Sequence, residues 1–134
     1  MLKKTITYTD YDGNQRTEDH YFHLNKAEIA GIELAHPGGL EVYVKRLTQE
    51  QAGAEIYRIF LDLIKLSYGK KSDDGRRFMK SPEITQSFTE TEAFSQLIME
   101  LIGDSNAAVE FVRGIIPADV AKDVPTNVVP MPQN

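Results

Sequence analysis

Cysteine is absent from this 134-residue sequence, which excludes disulfides and thiolate-held metals and suits an intracellular protein. No apolar run approaches the roughly 20 residues that a membrane-spanning helix needs. Met1-Leu2-Lys3-Lys4 leads into polar sequence, not into the apolar core of a signal peptide. A soluble protein made in the cytoplasm is therefore expected. Histidine is scarce. His20 and His23 stand three apart on a predicted strand, so they point to opposite faces and cannot share a metal, and His36 is alone at a helix end.

The usual catalytic patterns are missing as well. Ser67, Ser72 and Ser81 have no histidine that the sequence places as their base. Gly69-Lys70 lacks the upstream glycine of a phosphate loop. Asp10-Tyr11-Asp12-Gly13-Asn14 begins like a calcium loop, but its sixth position is Gln15 and its twelfth is Tyr21, where glycine and glutamate are required. Glu90 and Glu92 sit at a helix start, where the helix dipole favours negative charge without any catalytic role. Neither an enzyme nor a cofactor is expected.

What remains is an ordinary globular balance, 41% hydrophobic and 26% charged, enough for one domain with a core of normal size. Charge is unevenly spread. Lys70, Lys71, Arg76, Arg77 and Lys80 face only Asp73 and Asp74 between positions 70 and 80, a local charge of +3, so the rest of a −5 chain carries −8. An acidic body with one basic loop is a poor general nucleic-acid binder, because phosphate binding needs a broad basic face. The loop reads either as solvated surface or as an anion- or partner-docking element.

Two segments rich in Thr, Tyr, Ile and Phe, Leu2 to Thr9 and Arg16 to Leu24, flank Asp12-Gly13-Asn14 and predict a hairpin. Apolar or long side chains occupy even positions in both arms, so even must pair with even. A three-residue loop with Asn14 left-handed meets that condition. It sets Tyr11 against Gln15, Asp10 against Arg16, Ile6 against His20 and Leu2 against Leu24, leaving Thr5, Thr7, Thr17 and Asp19 to water.

Helices follow. Asn25 and Glu28 form a capping box, with Leu24 stapled onto Ile29, and the helix ends near His36-Pro37-Gly38-Gly39. A second short helix holds Leu40, Val42, Tyr43, Val44 and Leu47. Thr48 with Gln51 reads as another capping box, opening the longest helix, whose stripe of Ile56, Ile59, Phe60, Leu63, Ile64 and Tyr68 stops at Gly69. After the basic loop, Ser81 caps and Pro82 takes the first helical position of a helix anchored by Phe88. Thr89 and Glu92 read as a third capping box, before the stripe of Phe94, Leu97, Ile98, Leu101 and Ile102. Gly103 ends that helix, Asp104 or Ser105 starts the last one, which ends at Gly114, and Pro117 opens a final turn. The fold class is α+β, mainly α: an N-terminal hairpin (2–24), then a compact bundle of five or six short-to-medium helices (25–123). The uncharged, proline-bearing residues 124–134 read as a disordered tail.

Several of these segments, in this order, resemble the tail assembly chaperones of long, non-contractile-tailed bacteriophages and prophages, especially those of Gram-positive hosts. The likeness covers roughly Lys3 to Pro117. It rests on Thr7-Tyr8-Thr9-Asp10-Tyr11-Asp12-Gly13, Phe22-His23-Leu24-Asn25-Lys26-Ala27-Glu28 and Gly38-Gly39-Leu40. Its strongest part is Ser67-Tyr68-Gly69 through Asp74-Gly75-Arg76-Arg77-Phe78, with Thr91-Glu92-Ala93-Phe94 and Gly114-Ile115-Ile116-Pro117 behind it.

The resemblance implies a non-enzymatic assembly factor of the host cytoplasm, absent from the finished virion. Such a factor binds the tape-measure protein, keeps it soluble and helps recruit tail-tube protein. Many such genes also yield a longer, frameshifted form, and a homo-oligomer is compatible with this picture. The partner-binding candidates are Arg76, Arg77 and Phe78, with Lys70 and Lys71 beside them: arginine suits bidentate carboxylate contact and phenylalanine suits pocket insertion. Alternatively, Phe78 anchors the loop to the core and both arginines are solvated. Two other functions compete: a structural virion protein such as a head–tail connector or tail-completion subunit, and a small regulatory module.

Overall fold

Alternating side chains build the start of the chain. In the computed structural model, which describes residues 1–36 and 38–117, β1 (Leu2–Thr9) and β2 (Gln15–Phe22) form an antiparallel hairpin. Ile6, Tyr8 and Phe22 are buried, while Thr5, Thr7, Thr17 and Asp19 face water. Even pairs with even, as expected, but the register is shifted by two. Leu2 opposes Phe22, Ile6 opposes Glu18, and Thr9 opposes Gln15. The loop keeps three residues but sits one position earlier: Asp10 and Asn14 close it around Tyr11-Asp12-Gly13, and Gly13, at φ 86°, takes the left-handed conformation in place of Asn14.

The reason is Asp10. Its carboxylate accepts the N–H groups of Asp12 and Asn14, each at 2.9 Å, and its backbone N–H donates to the Asn14 carbonyl at 2.8 Å. One carboxylate accepting both N–H groups fixes the turn at this position, with Asp10 opposite Asn14 as its closing pair. Its expected partnership with Arg16 survives as a side-chain ion pair of 2.6 Å.

Six helices follow among the described residues: α1 (Lys26–Ala35), α2 (Leu40–Gln49), α3 (Gly53–Ser67), α4 (Pro82–Thr89), α5 (Glu92–Gly103) and α6 (Ser105–Ile115). The Asn25–Glu28 capping box is present, both halves made. Ser81 caps α4 with Pro82 at its start, and Asp104 caps α6. Two expected boxes are not there. Thr48 lies inside α2, bonded to the Lys45 carbonyl, and α3 begins at Ala52-Gly53 without a side-chain cap. Likewise Thr89 closes α4, and Thr91 caps α5 by accepting the Phe94 N–H. The final turn after Pro117 and the tail at 124–134 lie outside the described residues.

The long helix stops two residues earlier than expected, at Ser67, and the basic segment is not an irregular loop. It contains β3 (Tyr68–Lys71) and β4 (Phe78–Met79), which extend the hairpin into a four-stranded sheet in the order β1-β2-β3-β4. Tyr21 opposes Gly69 and Phe22 opposes Tyr68 on one side of β3; Lys70 opposes Met79 and Lys71 opposes Phe78 on the other.

One apolar cluster joins sheet and helices. Phe22, Leu24, Ile29, Leu40, Val44, Phe60, Leu63, Ile64, Phe88, Leu97, Leu101, Phe111, Val112 and Ile115 belong to it, each nearly or wholly out of solvent. Between Leu24 and Ile115 the backbone itself is joined, the Leu24 N–H donating to the Ile115 carbonyl at 2.9 Å.

A basic hairpin as the candidate partner-binding site

The candidate residues are presented by the β3–β4 hairpin, and side-chain hydrogen bonds shape its turn. Ser72 donates its hydroxyl to Asp74 Oδ1 at 2.7 Å, and the same oxygen accepts the Arg76 N–H at 3.1 Å. Ser72 Oγ also accepts the Arg77 N–H at 3.0 Å, and the Ser72 N–H donates to the Arg77 carbonyl at 2.8 Å. Gly75 takes φ 75°, the left-handed conformation in which a side chain is strained. The Ser72 hydroxyl and the Arg76 N–H hold the Asp74 carboxyl below the usual aspartate range. The turn's one hydrogen-bonding acid is thus spent on shaping the turn.

Glycine fixes the other end. A Cβ on Gly69 would stand 2.7 Å from Phe78 Cε2 and 2.8 Å from the Met79 carbonyl oxygen, well inside van der Waals contact. Only glycine lets the Phe78 ring lie across β3. That ring stands perpendicular to His23 at 6.1 Å, and Phe78 is half-buried.

Lys80 latches the hairpin to the rest of the molecule. Its ammonium donates to the His23 carbonyl at 2.8 Å and to both oxygens of Glu28 at 2.9 and 3.0 Å. Of the five basic residues of this segment, Lys80 is thus neutralised. Lys71 lies over the Tyr21 ring at 5.0 Å. Lys70, Lys71, Arg76 and Arg77 are exposed, and none of the four forms an ion pair among the described residues. A cleft of about 480 Å³ opens beside them, lined by His23, Asn25, Glu28, Arg77, Phe78, Met79 and Lys80. Chemically this is a preformed cationic ridge next to an aromatic and thioether wall. It suits a carboxylate-bearing polypeptide.

Against this geometry stands the comparison with known proteins: a model of the phage tail assembly chaperone family matches residues 1–134. The chain belongs to that family. No curated protein and no solved structure matches it. The chaperone's hairpin thus brings Lys70, Lys71, Arg76, Arg77 and Phe78 into one element, as a single loop was expected to do. What sequence reasoning misses is the latch: Lys80 counts toward the local charge of +3, but its carboxylate partner Glu28 lies 52 residues away. The signal was split across the chain. Among the described residues, no helix of this chaperone is long and apolar enough to cross a membrane.

Proposed function

We propose that this tail assembly chaperone acts without catalysis by binding the tape-measure protein, keeping that long chain soluble in the host cytoplasm and promoting tail-tube assembly. Membership of the family over the full 134 residues carries the reading. The hairpin supports it: Arg76 and Arg77 project from a turn already held by internal hydrogen bonds, so docking a client costs little ordering entropy. Exposed apolar side chains support it too, among them Leu34, Val42 and Met99, at 86%, 54% and 63% exposure. A chain that must shield another's apolar stripes needs such surface. Tail-tube protein and a longer frameshifted form of the chaperone are the further partners of this reading, and the mature virion is expected to lack it.

Co-expression with the tape-measure protein of the same genome, with and without the longer form, tests this. The expected result is a soluble client that co-purifies. Replacing Arg76 and Arg77 together by alanine should weaken capture roughly tenfold, about 1.4 kcal/mol, while the melting temperature stays unchanged. A client that remains insoluble and unbound under both conditions overturns the proposal.

A further inference from the structure

β4 is the last strand of the sheet, and its free edge has a definite hydrogen-bonding pattern. The bond from the Ser72 N–H to the Arg77 carbonyl, 2.8 Å, makes Ser72 and Arg77 a hydrogen-bonded pair of the antiparallel ladder. The alternation of such ladders makes Lys71–Phe78 a non-bonded pair and Lys70–Met79 a bonded one. The N–H and C=O of Phe78 therefore point away from β3, toward the open side.

The cleft described above lies inward of that edge: His23, Asn25 and Glu28 line it together with Arg77, Phe78, Met79 and Lys80, and the Phe78 ring crosses Gly69 of β3 to reach His23. The edge itself offers backbone groups, flanked at the turn by Arg76 and Arg77.

Resting on the client-binding reading above, we infer that the client docks here by strand addition: an extended segment carrying carboxylates pairs with the backbone of Phe78. Its carboxylates face Arg76 and Arg77. Charge selects this occupant. Arg76 and Arg77 at the turn, with Lys70 and Lys71 on the neighbouring β3, repel the same hairpin of a second copy, and these four cations without ion pairs attract an acidic chain. Glu28, the carboxylate in the cleft, does not oppose it, because Lys80 already neutralises it. Main-chain bonds supply affinity and the flanking side chains supply selectivity, as in other strand-addition complexes.

Residue-resolved amide exchange on the full chain is the test. The probes are a synthetic peptide of alternating glutamate and valine, its lysine–valine counterpart, and the tape-measure complex. In the free protein the Phe78 amide should exchange freely, while the Met79 amide, aimed into the ladder, is protected. Saturating glutamate–valine peptide should slow Phe78 by at least about tenfold, the lysine–valine peptide should not, and Arg77→Glu should abolish the effect. The tape-measure complex should show the same protection. If that complex forms and Phe78 still exchanges freely, strand addition is wrong and the chaperone reading stands. If no complex forms, the reading beneath it fails.

Discussion

His20 is a titratable side chain enclosed by rings. Its imidazole lies 4.8 Å from the Phe88 ring and 6.1 Å from that of Tyr68, and its buried Nε2 has no hydrogen-bond partner. Burial pushes its pKa below the ordinary 6.5, against the opposing pull of Glu18 and Asp19 and with help from Lys70. His23 is also lowered, first by burial and then by the nearby N-terminus and Lys80, with Glu28 opposing. In both cases the unfolded chain takes up its proton first as pH falls. Stability contributed by the neutral imidazoles is therefore full above about pH 6.5 and declines below it, down to the folded-state pKa. Denaturant midpoints at about pH 7.5 and pH 5.5 should differ, the acidic one being lower. His20→Phe, which keeps a ring and removes the proton, should reduce that difference. Equal midpoints in the parent protein would refute the assignment.

At the level of elements, the end of α2 carries a strain that the chain does not need. Gln51 adopts φ 55°, the one non-glycine residue with positive φ among those described. Its N–H donates to the Thr48 carbonyl at 3.2 Å, and the Ala52 N–H reaches back to Leu47 at 3.0 Å. This is the Schellman pattern, with Gln51 where glycine is preferred. Gln51→Gly should raise stability by about 1 kcal/mol, read as a melting temperature higher by a few degrees; no rise would mean that the side chain compensates. The same residue shows why this boundary was illegible in the sequence. Thr48 and Gln51 have the spacing of a capping box, and spacing alone does not tell a helix start from a helix end.

Other elements divide along similar lines. The Asn25–Glu28 box and the Ser81-Pro82 start were legible because their signals are local, and each is a side chain bonding its own helix. The strands β3 and β4 were not. Tyr68-Gly69-Lys70-Lys71 has no hydrophobic alternation, and it is extended because β2 and β4 pair with it on either side. The parity of the first hairpin was legible from the pattern, since the apolar side chains of its strands other than Tyr21 fall at even positions. Its exact register was not, since a shift by two keeps the same face buried and is decided by the hydrogen bonds of Asp10.

For the whole molecule, the aromatic hub decides whether these elements unfold together. Phe22 has no exposed surface. Its ring lies 5.5 Å from Tyr68, 5.7 Å from Phe88 and 5.4 Å from Phe111, so one side chain on β2 touches β3, α4 and α6 at once. Phe111 reaches Phe60 of α3 at 6.2 Å, and Phe88 reaches Phe94 of α5 at 6.0 Å. Sheet and helices therefore share one packing centre, and the described residues should melt in a single transition. Phe22→Leu keeps a buried apolar group and should cost about 1–2 kcal/mol, whereas Phe22→Ala leaves a cavity and should cost about 3–5 kcal/mol. The larger loss is a substantial part of the roughly 5–15 kcal/mol by which domains of this size are stable. Tyrosine fluorescence, which averages over six tyrosines with Tyr68 of the hub among them, and far-ultraviolet circular dichroism, which reports the helices, should give coincident curves in the parent and in Phe22→Leu. Separate transitions in the parent would mean that the hairpins and the helical part are held by different cores, and the shared hub would be wrong.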